Sequence, residues 1–391
     1  MSALRRVLDA LAPSLRASVR SEGLTPSSYS TPLAVAAEAL DEGVLVAITA
    51  TSSEADDLAR AVSALLGEPD AVALWPGWDT HPLERVSPDA EVMAARVVVR
   101  DRLRGPQPPR VLVASARSIS QILPPGAAPE PWRVTRGGSC DRDELLEYLA
   151  RGGYRREPLV EHRGEFAVRG GIVDLWSPQS DEPIRLDFFG DDLERLAVLD
   201  VGSQRSVLDL DEAVIAPARE WVPDEAARAH AAKWARDNHW GAHVLERIGE
   251  GHLPDGLEGW MSLFVESPRT VLDELPNARV LVVDPRRVEQ RLADLLDEER
   301  ELTDTVATTW RADGEVPLLH VDAASSFARR ITAELAPGGA DGGLISPPVV
   351  QGDPARIAAH VRGWTRDRRG VVLTSNPAAV ARMADQLRAE G

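Results

Sequence analysis

The sequence predicts an α/β protein carrying a small antiparallel β-rich insert. Three observations carry that prediction. Four segments share one grammar, a short apolar run, a polar turn and then a helix with Ala and Leu at 3.6 spacing: "GVLVAITATSSEADDLARAVSALLG" (43–67), "RVLVASARSISQILPPG" (110–126), "RVLVVDPRRVEQRLADLLDEE" (279–299) and "GVVLTSNPAAVARMADQLRAE" (370–390). Near-continuous Val/Leu/Ile strands followed by Ser, Thr, Asp or Asn caps are the pattern of buried parallel strands with crossover helices. Between these segments, around residues 163–200, the apolar period changes from 3.6 to two, which is the pattern of a half-buried sheet. Finally, 391 residues at 43% hydrophobic content exceed one ordinary domain and can fill more than one core.

Taken in chain order, "MSALRRVLDALAPSLRASVRSEG" reads as an amphipathic helix, since it lacks the continuous apolar core and cleavage site of a signal peptide. Residues 140–154, "CDRDELLEYLARGGY", read as a short helix closed by Gly-Gly. Along "EFAVR", Phe166 and Val168 fall on one face, with Glu165, Ala167 and Arg169 on the other. Along "IRLDFF", Ile184, Leu186 and Phe188 share one face, and Arg185, Asp187 and Phe189 the opposite one. "GDD" (190–192) is a turn, and "LERLAVLDV" returns as a strand. After "APARE" (216–220) helices resume to about residue 250, and "GHLPDGLEGWMSLF" reads as a compact loop around Trp260 and Phe264. "LAPGGADGGLISPP" (335–348) reads as a linker. One βα unit cannot bury its own apolar face, so the last segment is expected to be a truncated piece of a further domain.

Charge and composition narrow the function. A net charge of −18 opposes broad binding to DNA, which needs clustered cations. The single cysteine, Cys140, excludes an intramolecular disulfide, fits a cytoplasmic location, and with eight histidines gives no zinc pattern. No run of about 18 apolar residues occurs, so no membrane span is expected. Of the 44 Lys and Arg residues only Lys233 is a lysine, as GC-rich codon usage would give. A phosphate-binding G-x-x-x-x-G-K-[ST] loop requires a lysine after glycines, and Lys233 sits in the helical stretch "ARAHAAKWARD". The chain therefore has no standard Walker A sequence, and no catalytic, cofactor or metal site is expected.

Candidate residues for binding are Arg169, Arg185 and Phe189, which alternation places on the face away from the small sheet's core. A phenylalanine flanked by arginines supplies apolar area beside planar, multi-donor partners for carboxylates. The pattern leaves a second reading open, in which Phe189 packs under a neighbouring helix. "WPGWDTHP" (75–82) holds Trp75, Trp78, Asp79 and His81 without an adjacent nucleophile, and reads as a packed loop. Cys140 in "GGSC" has no partnered histidine and reads as inert. "DELLE" and "DLLDEERE" read as solvated helix faces.

The stretch "GEFAVRGGIVDLWSP…PIRLDFFGDDLERLAVLDVGSQRS…APARE", with "LWPGWDTHPLERVSPD" and "VLVASARSISQILPP" before it, resembles the N-terminal, UvrB-like region of the bacterial transcription–repair coupling factor (Mfd) family. The resemblance runs over nearly the whole chain and is most specific from Gly164 to Glu220. It implies a degenerate helicase-type (RecA-like) parallel-sheet domain in two parts, residues 1–129 and 218–335. Between them it implies an inserted β-rich UvrA-binding module at 130–217, and after them a linker with the start of a small α/β domain at 336–391. In the family an RNA-polymerase-interacting domain and a two-lobed motor follow, and both are expected to be missing here.

The resemblance also implies a function. Family members displace stalled RNA polymerase by ATP-driven DNA translocation and recruit UvrA, through the positions that here are Arg169, Arg185 and Phe189. ATP and Mg belong to the motor, so this fragment is expected to carry no cofactor and no enzyme activity. Contacts to RNA polymerase and DNA are expected from the absent C-terminal domains, with an intramolecular contact to that C-terminal region and no membrane partner. UvrB itself pairs a similar module with a working P-loop and a Tyr-rich hairpin. Here "AITATSSEADDLARA" stands at the P-loop position, and the three tyrosines, Tyr29, Tyr148 and Tyr154, do not cluster near 75–90. The alternative is a UvrB-like helicase or excision-repair subunit with an atypical nucleotide site.

Overall fold

The computed structural model describes residues 3–21, 24–27, 30–127, 129–190, 192–312, 316, 318–322, 330–337, 339, 354–366, 385 and 388. Helices α1 (Ala3–Ser21) and α2 (Ser30–Glu38) lead into strand β1 (Leu45–Thr49) and helix α3 (Ser52–Leu66). Strand β2 (Val72–Trp75), helix α4 (Ala90–Arg104), strand β3 (Val111–Ser115) and helix α5 (Ala116–Ser120) follow. The middle of the chain supplies β4 (Trp132–Thr135), α6 (Arg142–Arg151), β5 (Arg155–Arg156), β6 (Glu165–Arg169), β7 (Ile172–Leu175) and β8 (Ile184–Phe189). It continues with β9 (Asp192–Asp200), β10 (Arg205–Asp209) and β11 (Glu212–Ile215). Then come α7 (Glu225–Asp237), α8 (Ala242–Gly249), β12 (Arg279–Val283), α9 (Pro285–Trp310), β13 (Ile331–Leu335) and α10 (Pro354–Arg366).

Five strands form a parallel sheet in the order β13-β12-β1-β3-β2. Every residue of β1 and β3 is buried, because both faces of the sheet are covered. Leu45 and Ala47 point into a core built with Leu15, Val35 and Val62 from α1, α2 and α3. Val46 and Ile48 point the other way, against Ile119, Val288 and Leu292 from α5 and α9. β12 pairs with β1 in register although the whole β-rich segment lies between β3 and β12 in sequence. The parallel sheet is thus closed by chain from both sides of the insert.

Two of its strands, β2 and β13, escaped the sequence reading. Both are edge strands; β2 has only four residues, and β13 alternates between buried and exposed residues instead of forming an apolar run. The stretch read as a loop around Trp260 is a 3-10 helix, Leu257–Phe264. Trp260 packs there between Trp240 and Trp310, with ring centroids 5.8 and 5.2 Å away. "DLLDEERE" is not wholly solvated either. Glu299 is buried and accepts backbone N–H bonds from Leu319 (3.0 Å) and His320 (3.1 Å). The βα unit expected at 370–390 falls outside the described residues apart from two isolated positions, and so does most of the linker.

Buried charge fixes the segment by which the chain leaves the insert. Arg96 on α4 is fully buried, donates from Nε to Glu220 Oε2 at 2.5 Å, and donates from Nη1 to the Pro76 carbonyl at 3.1 Å. Its guanidinium lies over Trp75 (4.1 Å) and Trp78 (5.0 Å), so the "WPGW" loop is packed around an arginine. One helical turn on, Arg100 donates to both oxygens of Glu274 (3.1 and 2.5 Å), and Arg104 adds a bond of 2.8 Å. Next to Glu220, Arg219 donates to buried Glu258 at 2.9 Å. Gly153 (φ +86°) passes so close that a Cβ there would sit 2.7 Å from Arg219 Cγ. A side chain at that position would have to displace Arg219 and hold a strained backbone.

Burial pushes the Glu220 carboxyl up, and the Arg96 and Arg100 charges oppose that push. Removing the carboxylate would strand Arg96 as a buried charge. Glu220→Ala should therefore cost about 3 kcal/mol or more in urea unfolding. Glu274 behaves differently. Burial pushes it up too, but Arg100 and Arg104 outweigh that and hold it below its ordinary value of 4.5. The folded carboxyl thus binds its proton less tightly than the unfolded one. Its stabilisation is complete above pH 4.5 and is lost as pH falls through the lower folded value. Glu274→Gln should show a shallower loss of stability than the wild type in acid titrations followed by circular dichroism.

Candidate interaction surface

Six strands in the order β10-β9-β8-β7-β6-β5 form the insert's sheet, antiparallel except for the short β5–β6 pair. One face carries Phe166, Val173, Leu175, Ile184, Leu186 and Leu196, and packs on Leu145 and Leu149 of α6. The opposite face carries polar rows. Ala167, Asp174, Arg185 and Ala197 lie side by side across four strands, and Arg169, Ile172, Asp187 and Arg195 form the next row. At one end of this face Ala167 and Leu199 are covered by Val160 and Trp176. The other end is open.

All three residues singled out from the sequence lie on this second face, but in two different states. Phe189 is 74% exposed at the end of β8 and packs under no helix. A bulge in the β8–β9 pairing falls between Asp187 and Phe188; because the extra residue, Glu194, belongs to β9, β8 keeps its alternation through Phe189. Arg185 is much less open, with 13% of its side chain exposed, and donates from Nε and Nη2 to the two oxygens of Asp174 at 2.6 and 2.8 Å. Arg169, 44% exposed, donates from Nη2 to the same carboxylate at 2.6 Å. The Asp174 bond raises the Arg185 pKa, holding the guanidinium charged.

Sequence reading missed Asp174. It is fully buried and joins the two arginines across β6, β7 and β8. A carboxylate between Val173 and Leu175 in a strand-like run was the available signal, since such an acid needs a cationic neighbour. The Gly-Gly hairpin beside Arg169 has its own constraint. Gly170 adopts φ +60°, and a Cβ on Gly171 would stand 2.6 Å from the Phe188 carbonyl oxygen. That close approach lets Phe188 N–H donate to Gly171 O at 2.8 Å and fixes the end of β8 that carries Phe189.

Two other candidates behave as closed structure. In the turn between β1 and α3, Thr51 caps the helix, and the Glu54 carboxylate accepts from Thr51 N–H at 3.2 Å. Glu54 also pairs with Arg287 at 2.8 Å. The helix terminus is therefore occupied by its own side chains. Cys140 is buried, and burial pushes its thiol up and away from the reactive thiolate. Among the described residues, no group of three His, Cys, Asp or Glu could hold a metal ion, and no helix is long and apolar enough to cross a membrane.

The inserted sheet is thus packed on one face and polar on the other, beside a separate α/β scaffold. Residues 133–221 match the UvrB interaction domain. The chain is 35% identical over 309 residues to the transcription-repair-coupling factor of Mycobacterium tuberculosis, covering 73% of this chain and 25% of that protein. Identity to the Myxococcus xanthus factor is 34% over 317 residues (76% and 26%), and to the Escherichia coli factor 30% over 213 residues (53% and 18%). The chain belongs to the transcription-repair-coupling factor family as an N-terminal region, and it spans about a quarter of the length of the first two of these relatives.

Proposed function

We propose that this chain is the UvrA-recruiting region of a transcription-coupled repair factor, with the open face of its six-stranded sheet imitating the docking surface of UvrB. One observation carries the reading. Within the matched domain, Arg169, Arg185 and Phe189 share one face of one sheet, two of them fixed by Asp174 and the third open to solvent. Such a patch combines an aromatic anchor with charge-assisted donors, the pairing that dominates many protein interfaces.

The rest of the reading extends the family's name to this chain. The five-stranded parallel domain is a degenerate helicase-type (RecA-like) fold that serves as a scaffold. Its turn after β1, filled by Thr51 and Glu54, supports a loss of nucleotide binding. In the longer family proteins, other regions would use ATP and Mg to translocate DNA and displace stalled RNA polymerase. An intramolecular contact with the C-terminal region would regulate access to the docking face, and the work would be cytoplasmic. A UvrB-like helicase with an atypical nucleotide site is the competing reading, and the carboxylate at the α3 terminus opposes it because it would repel phosphate.

Calorimetry with purified UvrA tests the proposal. The wild-type chain should bind, and Arg185→Ala and Phe189→Ala should each lose about 2 kcal/mol or more of binding free energy. Phe189→Ala should keep its melting temperature, while Arg185→Ala, which removes two of the three bonds to buried Asp174, should melt lower but stay folded at the titration temperature. Equal binding by all three proteins would move the docking site elsewhere. The same titration with ATP should give no saturable heat, and saturable ATP binding would favour the helicase reading.

A further inference from the structure

We propose that Asp174 is a positioning residue for docking: it holds the Arg169 and Arg185 guanidiniums in fixed orientations so that their remaining donors meet carboxylates of the partner protein. The proposal rests on the docking reading above and adds the chemistry of the surface that fits it. Asp174 is fully buried in the middle strand of three, and its two oxygens take three charge-assisted bonds of 2.6, 2.6 and 2.8 Å from the neighbouring strands. A guanidinium carries donors on Nε, Nη1 and Nη2. Arg185 spends Nε and one Nη2 hydrogen on Asp174, and Arg169 spends Nη2 alone. The Nη1 groups of both residues remain for a partner.

The unspent donors favour an acidic partner. Two arginines share the buried Asp174 carboxylate, and the half-buried Asp187 stands beside Arg185 on the same face, in a chain whose total charge is −18. Planar donors held at fixed angles favour carboxylates, which accept in the plane of the fork. Freezing the side chains before contact removes an ordering cost that free arginines would meet on binding. Phe189 lies four residues beyond Arg185 on the same strand face, about 13 Å away at the usual rise per residue. The fitting surface therefore presents a carboxylate and an apolar recess at that separation.

Two measurements separate this proposal from the docking reading. The first is NMR exchange of the Arg185 Nε–H in the unbound chain, wild type against Asp174→Asn. Slow exchange in the wild type that becomes fast in the variant is expected, and fast exchange in both overturns the positioning role whatever UvrA does. The second is a calorimetric cycle with UvrA using Asp174→Asn, Arg185→Ala and the double variant, each checked by circular dichroism to be folded at the titration temperature. Asp174→Asn should weaken binding roughly tenfold or more, and the double variant should be no weaker than Arg185→Ala, since a residue that acts through another adds nothing once that other is gone. Additive losses, or an unweakened Asp174→Asn, would overturn the proposal. Slow exchange with no binding by the wild type would sink the docking reading, and with it the purpose assigned to Asp174.

Discussion

The buried pair of Arg96 and Glu220 is the constraint on which the arrangement of this protein depends. Arg96 belongs to the α/β scaffold, and Glu220 to the segment by which the chain leaves the inserted sheet. Neither can be solvated, so each fixes the other's position. The guanidinium also orders the "WPGW" loop by lying over both of its tryptophans and donating to Pro76. Apolar side chains could fill the same space, but without directed hydrogen bonds. The charge pair instead fixes the Arg219–Glu220 segment, by which the chain leaves the insert, against α4.

A similar logic operates at the open face of the inserted sheet on a smaller scale. Asp174 is buried inside a sheet that would otherwise have no reason to hold arginines still. Its three bonds convert two flexible side chains into fixed ones. Phe189 needs no such partner, because a phenylalanine ring has few rotamers and its strand end is fixed by the Gly171–Phe188 hydrogen bond. Polar positions are thus held by a buried acid, and the apolar position by backbone geometry.

The scaffold contrasts with this face. Its helix terminus after β1 is closed by the reciprocal bonds of Thr51 and Glu54. Its two apolar cores lie on opposite faces of the parallel sheet and are completed by strands and helices from both sides of the insert. Rigid support for the inserted sheet follows from that closure, since the insert leaves and re-enters a domain that is already packed around its junction.

By itself the sequence determined the α/β class, the central strands β1, β3 and β12, and the face on which Arg169, Arg185 and Phe189 lie. Those features follow from periodicity, which is local: buried parallel strands read as apolar runs, and a half-buried strand alternates. Only the tertiary structure decided the rest. Edge strand β2 has only four residues, and edge strand β13 mixes buried and exposed positions instead of forming an apolar run, while Glu299 looks like one acid among many until the chain brings Leu319 and His320 to it. Nothing in the spacing of Arg96 and Glu220, or of Asp174 and Arg185, says that they meet. Ion pairs between distant positions depend on how strands and helices are brought together in three dimensions, and a one-dimensional pattern carries no record of that contact.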